Sequence, residues 1–498
     1  MVPWKWPKFY TKPMTQVVLV GITCFATVGM YSAISNLGAG GTQNITLSDT
    51  ANGVLYGLFA VTGLVSGSIS NILGPRLTLF IGTLGYALYV GSLWCYQTQG
   101  TSWFLIFAGA LLGISAALLW SAQGSIMMSY PLEKDKGKAF SVFWAIFQFG
   151  ALIGALIAFT INERHGGLTA VSTSTYIAFL VVIFVGIASA FLVLPPNHVI
   201  RGDGTIVKLE AASKLHEELL SMWAMRKDWR VLALLPMFFA SNYFYAYQGA
   251  INTARFDSST RALNAVLEGA GAIVGALIYG FCVLDAKWMK RRTRGYLGLG
   301  VVTVIVIAIW SCGLAWQVTF DRAKAKELEQ EQKLINYKDA DYRSKGPLFF
   351  FCERYCLYCY LWLFGEVDFG WADYFGDACY QALAYWIMSA LTNDPFKLAR
   401  FAGIYKAIQS AGGAGSYGMD AVSTPFLNEL LASWIMMLAS FPLAFLVLRT
   451  VKETNYDDEQ MVYVDDVQNR VMEEGAQDAE AGSIAKEEDV TVEKKEAT

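Results

Sequence analysis

Charged residues are scarce in this 498-residue chain. Asp, Glu, Lys and Arg make up 16% of it and hydrophobic residues 55%, whereas about a quarter of the residues in an ordinary soluble domain are charged. Apolar runs of about 20 residues, the length that crosses a ~30 Å hydrocarbon core, recur along most of the sequence. These runs are apolar all round, as expected of helices surrounded by lipid or by other helices. The composition predicts an all-α polytopic membrane protein that contacts membrane lipid and no nucleic acid.

Histidine is almost absent, which limits the available chemistry. The three histidines, at positions 165, 198 and 216, fall in predicted loops. We therefore expect no histidine relay that carries protons inside the membrane. Three cysteines are spaced as Cys352-x3-Cys356-x2-Cys359, but the intervening residues are bulky and apolar and no histidine lies near. No nucleophile stands beside a base in a recognisable pattern. We therefore expect no metal, no cofactor and no enzymatic activity.

The apolar runs predict twelve spans in two sets of six. A cytosolic segment at 1–15 precedes a first bundle over 16–194, a cytosolic linker occupies 195–230, and a second bundle covers 231–450. Residues 451–498 are acidic and lack apolar periodicity, which predicts a disordered cytosolic tail. The predicted spans are residues 16–35, 53–72, 77–96, 103–128, 139–160, 176–194, 231–251, 262–284, 296–318, 371–391, 398–417 and 431–448.

One apolar stretch does not fit an even number of spans. Residues 347–365, PLFFFCERYCLYCYLWLFG, are long enough to cross the membrane, but Glu353 and Arg354 interrupt them. We expect a re-entrant or interfacial segment within a lumenal or extracellular insertion at 320–370, an additional crossing being the alternative. The preceding residues 321–345 are strongly charged, which predicts a helix outside the membrane.

Lysine and arginine in the short loops predict the orientation of the chain. They cluster in the amino-terminal segment, in the loops after the second, fourth and eighth spans, and in the linker. All these segments fall on one side if the spans alternate, and that side is cytosolic by the positive-inside rule. Both termini are then cytosolic, and a glycosylation sequon at Asn44 falls on the other side, as a usable acceptor must. Whether the membrane is the plasma membrane or an endomembrane stays open.

A short pattern recurs in the two sets of spans. Two aromatic residues and a glutamine follow one another at i, i+4 and i+8 at positions 140, 144 and 148, and again at 401, 405 and 409. Each series lies on one helix face and follows a short charged turn. Parallel repeats of this kind relate the two halves of major facilitator transporters, so the repeat favours that fold.

Polar and glycine patterns inside the spans carry a resemblance to a known family. ISNLGAGG (34–41), ISAALLWSAQGSIMMSYP (114–131), DACYQALAYWIMSAL (377–391) and ARFAGIYKAIQSAGGAGSYGMD (399–420) are similar to the UNC-93-like family, in its fungal branch. The resemblance covers about residues 10–450 and implies a major facilitator fold of two six-helix bundles. The resemblance does not imply a single function, because the family includes a potassium-channel regulatory subunit, a trafficking chaperone for innate immune receptors and uncharacterised predicted transporters.

The loop after the second span departs from the common major facilitator pattern. That pattern is of the type G-x-x-x-D-R-x-G-R, in which acid and base latch the cytosolic gate. In GSISNILGPR, Asn71 takes the place of the acid and Pro75 replaces a basic residue, while Gly67 and Arg76 remain. This departure from the pattern predicts a weakened latch.

Three charged side chains lie within predicted spans: Glu268 in the eighth, Asp377 in the tenth and Lys406 in the eleventh. An ionised side chain at the bilayer centre costs about 3 kcal/mol or more, so such residues usually face a cavity or a partner. Lys406 is too deep for its stem to reach either surface comfortably. We expect it to pair with Asp377 or with a substrate carboxylate, snorkelling being the alternative.

Amide side chains recur on spans that the resemblance implies line a central cavity, the first, fourth, seventh and tenth. Amides donate and accept hydrogen bonds without carrying charge, which suits a neutral or zwitterionic substrate. Hydrogen bonding between helices, worth ~0.6 kcal/mol on average, is the alternative role. The candidate cavity residues are Asn36, Trp120, Gln123, Gln148, Asn242, Gln248, Gln381 and Gln409.

Two functions from different classes follow. The polar spans favour a secondary transporter of a small molecule that works by alternating access, with proton coupling through Glu268 or Asp377. The altered latch and the acidic tail favour a non-transporting regulatory or trafficking subunit of another membrane protein, such as an ion channel. The sequence specifies neither the substrate nor the membrane-protein partner.

Overall fold

The chain is helical almost throughout. A computed structural model describes residues 6–36, 45–165, 173–207, 215–331, 333–338 and 371–456. Within these ranges the only β-type pairings are two isolated bridges. Nine helices among the described residues are long and apolar enough to cross a membrane, and three less apolar stretches bring the number of spans to twelve. The predicted all-α polytopic membrane fold is confirmed.

The spans form two bundles and are numbered here in chain order. Spans 1 to 6 are Pro13–Cys24 continued by a π-helical turn at Phe25–Gly29 and by Met30–Asn36, then Ile45–Leu73, Pro75–Gln99, Ser102–Ser129, Lys136–His165 and Thr173–Ser189. Spans 7 to 12 are Trp229–Ala240 with Tyr245–Arg255, Ser258–Ile278 continued by a π-helical turn at Tyr279–Leu284, Arg291–Gln317, Trp371–Leu391, Pro395–Ala421 and Phe426–Leu448.

Proline and glycine set several span boundaries. Pro13, Pro75 and Pro395 occupy the first turn of their helices, where the missing N–H costs no helical hydrogen bond. Gly74 (φ 80°) and Gly100 (φ 71°) flank span 3 in left-handed conformations that only glycine adopts without strain. Such tight connections make consecutive spans antiparallel neighbours.

One end of the helical body carries both ends of the described chain. Leu194, after span 6, donates its N–H to the Oε1 of Gln16 in span 1 over 2.7 Å. Asn455, after span 12, donates its N–H to Glu133, before span 5, over 2.9 Å. We call this end the terminal face, and the positive-inside rule predicts that it is cytosolic.

The two bundles meet along span 2 with span 11 and span 5 with span 8. A Cβ added at Gly67 would lie 2.4 Å from the carbonyl oxygen of Ala399, and one added at Gly280 would lie 1.7 Å from the Oγ of Ser141. Backbones in a membrane approach this closely only at small residues. Both contacts lie in the halves of the spans nearest the terminal face, so the bundles are joined most tightly there.

Span 7 is broken, whereas the sequence predicts one helix over 231–251. Residues 241–244 form a turn between its two helical parts. Pro236 lies about one turn before the break and has no N–H to donate. Non-helical backbone at this depth is tolerated where it is buried in protein or lines a cavity, so the break indicates a polar interior beside it.

Segments outside the spans are partly helical. The linker contains Leu215–Ala224, and the insertion begins with Arg322–Gln330, as its charge pattern predicts. The predicted tail begins at 451, but residues 451–456 pack on the terminal face, where Val451 and Asn455 are buried. Asn44, the 347–365 segment and residues 457–498 lie outside the described residues.

Candidate functional site

A cavity of about 270 Å³ lies between the two bundles. Its walls come from spans 1 to 5 on one side and from spans 7, 8, 10 and 11 on the other, so nine spans line it where the resemblance implied four. Its lining residues lie in the middle of their helices or in the half away from the terminal face. The polar ones are Tyr31, Ser32, Tyr56, Tyr86, Gln148, Asn242, Tyr245, Glu268, Gln381, Lys406 and Gln409.

Two amides connect the predicted charge partners on spans 10 and 11. The Nζ of Lys406 donates to the Oε1 of Gln409 over 2.7 Å. The Nε2 of Gln409 donates to the Oε1 of Gln381 over 3.3 Å, and the Nε2 of Gln381 donates to the Oδ1 of Asp377 over 3.0 Å. We call these four residues the amide chain. Lys406 and Asp377 are therefore linked through Gln409 and Gln381, and the direct ion pair that we expected is not formed.

Helix geometry explains how the amide chain arises. Lys406 and Gln409 are three residues apart on span 11, and Asp377 and Gln381 are four apart on span 10, so each pair shares a helix face. The break in span 7 completes the chain, because Ser241 there accepts from the Nε2 of Gln409 over 2.9 Å. Charged, amide and hydroxyl groups from three spans are thus joined by hydrogen bonds at the cavity wall.

Lys406 is buried at the cavity surface and only 3% exposed. Its Nζ lies 4.6 Å from the ring centre of Trp120, 4.9 Å from that of Tyr405 and 5.6 Å from that of Tyr385. No carboxylate oxygen of the described residues lies within 4.0 Å of the Nζ of Lys406, the distance that defines an ion pair. One hydrogen bond to a charged group contributes about 1.5–3 kcal/mol and a cation–π contact about 0.5–2 kcal/mol, whereas removing an ion from water costs several kcal/mol. These contacts leave room for an additional, anionic partner.

The first bundle supplies an aromatic wall opposite the amide chain. Trp120, Trp144 and Phe147 line the cavity together with Gln148, and the rings of Trp120 and Phe147 are 5.4 Å apart. Gln148 and Gln409 end the pattern that recurs between spans 5 and 11, and they face the same cavity from the two bundles. The site is therefore aromatic on one side and polar on the other.

The other candidate residues are divided between cavity and core. Asn242 and Glu268 line the cavity. Gln123 lies behind it and accepts from the Tyr385 hydroxyl over 3.1 Å, and its Nε2 has no partner among the described residues. Gln248 is buried outside the lining, and within the described residues its amide is unpaired. Asn36 ends the first span, in a part whose side chains are outside the description.

The linker supplies an acid at the altered latch, which the sequence did not reveal. Glu218, on the linker helix, accepts from the Nδ2 of Asn71 on span 2 over 3.0 Å. It also accepts from the Nε and Nη2 of Arg400 on span 11 over 3.0 and 2.9 Å. Glu218 thus joins the two bundles where the common pattern has an acid on span 2. The acid pair in LHEELL was the available signal, but only the fold shows which acid points inward.

A second group of polar contacts closes the terminal face. The Nζ of Lys136 donates to the carbonyl oxygen of Ser389 and to the Oδ1 of Asn393, over 2.8 and 2.9 Å. Arg291 and Glu133 form an ion pair of 2.9 Å in which the Arg291 side chain is 3% exposed. Each contact crosses from the first bundle to the second. The cavity is therefore separated from the terminal face by side chains of both bundles.

Asp285 follows span 8 and lies in the same closure. Its Oδ2 accepts from the N–H of Lys138, in the first turn of span 5, over 2.6 Å, and its Oδ1 lies 3.9 Å from Arg294. Burial raises the pKa of Asp285 from 3.8 to about 7, and the hydrogen bonds and the charges of Arg294 and Lys138 oppose the rise. Because separation of the bundles would expose this carboxyl, its protonation favours the closed arrangement.

Two six-helix bundles around a central polar cavity define a major facilitator fold. The solved structure of the major facilitator superfamily transporter FucP in the outward conformation is similar, with a TM-score of 0.55 over 88% of this chain and 99% of that chain at 10% identity. Residues 49–328 match the family described as "Ion channel regulatory protein UNC-93". The chain belongs to the UNC-93 family, which confirms the resemblance.

Relatives of the chain occur in plants and fungi. UNC93-like protein 1 of Arabidopsis thaliana is 36% identical over 451 residues, covering 90% of this chain and 93% of that protein. UNC93-like protein C922.05c of Schizosaccharomyces pombe is 36% identical over 437 residues, covering 87% and 82%. The similarity therefore extends over both bundles.

Proposed function

We propose that this protein is a secondary transporter that moves a small polar molecule across its membrane by alternating access. The observation that carries the proposal is a polar cavity between two bundles that are held together on one face. Transporters of this architecture bind their substrate near the midplane between two repeats and rock one bundle against the other. The close glycine contacts of spans 2 and 11 and of spans 5 and 8 are the surfaces about which the bundles would move.

In this mechanism the described arrangement has its terminal face closed. Opening that face breaks the bridge from Asn71 through Glu218 to Arg400 and the ion pair of Arg291 with Glu133. Because each contact joins the two bundles, they release together when the bundles separate. We propose that both termini are cytosolic and that a cytosolic linker joins the two bundles, which cover 16–194 and 231–450. The open terminal face would then let the substrate leave toward the cytosol or enter from it.

Glu268 and Asp377 are the proposed proton-coupling groups. Glu268 lines the cavity, and Asp377 accepts hydrogen bonds from Tyr245 and Gln381, which both line it. Protonation of Asp377 removes an acceptor from the amide chain, so a proton at this position would change how Gln381 and Gln409 present their amides to a substrate.

A regulatory role is the second candidate function. The matched family is described by its regulation of an ion channel, and a subunit of that kind would need a stable closed bundle and a partner surface but no transport cycle. In that case the cavity would be a remnant of the fold, and removing its polar groups would leave the regulated activity unchanged.

Transport from loaded liposomes distinguishes the two functions. Purified full-length protein is reconstituted into liposomes that contain a mixed extract of small metabolites, and mass spectrometry follows the loss of each compound. At least one polar compound should leave faster through the wild type than through Gln381→Leu. Gln123→Leu, which changes a buried amide outside the cavity, is the matched control and should behave as the wild type. If the wild type, both variants and loaded liposomes without protein all lose every compound at the same rate, transport is contradicted and regulation is favoured.

A further inference from the structure

Among the described residues, the cavity lining carries one cationic side chain on a largely aromatic and amide surface. We infer that it binds the carboxylate of a small organic monoanion, with Lys406 as the contact for that carboxylate. This inference rests on the proposed function, because it takes the cavity to be the substrate site. It adds the chemical class of the substrate, which the amides alone do not specify.

The first argument is the incomplete pairing of Lys406. A protonated lysine has three donors, and its described hydrogen bond, to Gln409, uses one of them. Buried charges in proteins are normally paired with opposite charge, but Asp377 is separated from Lys406 by Gln409 and Gln381. A carboxylate that enters the cavity would meet the remaining donors directly. The ammonium is thus placed at the wall for a ligand rather than for a neighbouring helix.

The second argument concerns the charge and size of the ligand. Lys406 is the only lysine or arginine among the described residues that line the cavity, and one ammonium suits one carboxylate, whereas phosphate groups commonly use several donors or a guanidinium fork. Glu268 lines the same cavity and would repel a second negative charge. The volume of about 270 Å³ equals roughly nine water molecules at ~30 Å³ each. The ligand is therefore a small monoanion.

The third argument is the aromatic surface that the first bundle contributes to the cavity. Trp120, Trp144, Phe147 and Tyr86 form it, and ligand pockets lined by aromatic side chains with a few polar groups favour an apolar body carrying one polar end. An aromatic or branched aliphatic carboxylate has this form. A hydroxyl group at the other end could donate to Glu268, so a hydroxy acid also belongs to the class.

Binding of three compounds of the same shape tests the inference. Phenylacetate, phenylacetamide and phenethylamine carry a negative, a neutral and a positive end on one aromatic body. Each is added at up to millimolar concentration to purified full-length protein, and binding is followed by tryptophan fluorescence and by the midpoint temperature of unfolding. Phenylacetate should change the fluorescence and raise the midpoint temperature, because a ligand that binds the folded protein stabilises it, and the other two compounds should do neither.

Two lysine variants assign the effect to the cavity. Lys406→Met should weaken phenylacetate binding by about 10- to 100-fold, the worth of a charge-assisted hydrogen bond. Lys397→Met makes the same change on the same helix at the terminal face and should leave binding unchanged. If Lys406→Met fails to fold, the selectivity of the wild type among the three compounds still decides the question.

Several outcomes would overturn the inference: equal binding of the amide or the amine, full binding of phenylacetate to folded Lys406→Met, or no binding of phenylacetate to the wild type. Flux measurements separate this result from the proposed function. Selective, Lys406-dependent binding of carboxylates without any flux would contradict transport and leave the inference standing. Flux of a neutral or cationic compound that Lys406→Met does not alter would leave transport standing and refute the inference.

Discussion

The bridge at the linker helix should determine how often the terminal face opens. Glu218→Gln keeps the shape of the side chain but removes the charge that binds Arg400. Breaking a buried ion pair costs about 3–5 kcal/mol in soluble proteins, and we take about 2–3 kcal/mol because the Arg400 side chain is 13% exposed and remains partly hydrated. At 1.4 kcal/mol per factor of ten, this shifts the equilibrium toward the open face by about 30- to 140-fold.

Accessibility of a buried serine position measures this opening. Ser389 is 2% exposed and its carbonyl oxygen binds Lys136 in the closure, so Ser389→Cys should react with a maleimide only when the bundles separate. The labelling rate is obtained by mass spectrometry of the peptide that contains residue 389. It should rise with Glu218→Gln toward the calculated factor. Asp135→Asn removes the same charge from a pair within one bundle and should leave the rate unchanged.

Moving the acid back to span 2 provides a second test of the same bridge. Asn71→Asp combined with Glu218→Gln places a carboxylate where the common major facilitator pattern has one, within reach of the same neighbours. The double variant should label more slowly than Glu218→Gln alone. Asn71→Asp alone should label faster than the wild type, because two carboxylates would then face each other. A labelling rate for Glu218→Gln that equals that of Asp135→Asn would refute the latch.

Three further predictions concern the same face. Gly67→Ala should increase labelling and lower the midpoint temperature of unfolding, because its Cβ would lie 2.4 Å from a span 11 carbonyl, whereas Gly57→Ala meets nothing within 4 Å and should do neither. Deletion of 457–498 should leave the midpoint temperature unchanged, whereas deletion of 451–498 should lower it, since hydrogen bonds of about 1 kcal/mol each are lost. Because burial raises the pKa of Asp285 to about 7, opening should become easier as the pH rises from about 4 to 7, by up to tenfold per pH unit. Maleimide reacts with the thiolate, so all labelling rates rise with pH; the ratio of the rate with Asp285 to the rate with Asp285→Asn removes this common effect and should rise by the factor expected for opening.

The features that depend on local sequence were predictable. Apolar length gave the two sets of six spans, and the charged turns gave their common face. The recurring pattern placed Gln148 and Gln409 on matching helix faces, and both line the cavity, because residues four apart lie on one side of a helix. The positions of Asp377 and Lys406 on neighbouring spans also predicted that the two side chains lie near each other, although two amides separate them.

The features that depend on helix rotation and on distant contacts were not predictable. Gln123 and Gln409 are both buried glutamines within spans, yet the first lies behind Tyr385 and the second faces the cavity, because neighbouring aromatic side chains decide which face is covered. Glu218 is 147 residues from Asn71 and 182 from Arg400 in sequence. A polar linker gives no periodic signal for such a contact. The missing acid on span 2 therefore predicted a weakened latch, although the linker supplies the acid, Glu218.

The division of the site between the bundles couples the cation to their motion. Gln409, Tyr405 and Tyr385 lie on the same bundle as Lys406 and would move with it, whereas Trp120 belongs to the other bundle. Separation of the bundles would therefore remove one cation–π contact, worth about 0.5–2 kcal/mol. An anion at Lys406 would compensate the charge most strongly in the closed arrangement, where the first bundle lies beside it. A ligand shifts a conformational equilibrium only by its difference in affinity for the two states, and this cation provides such a difference.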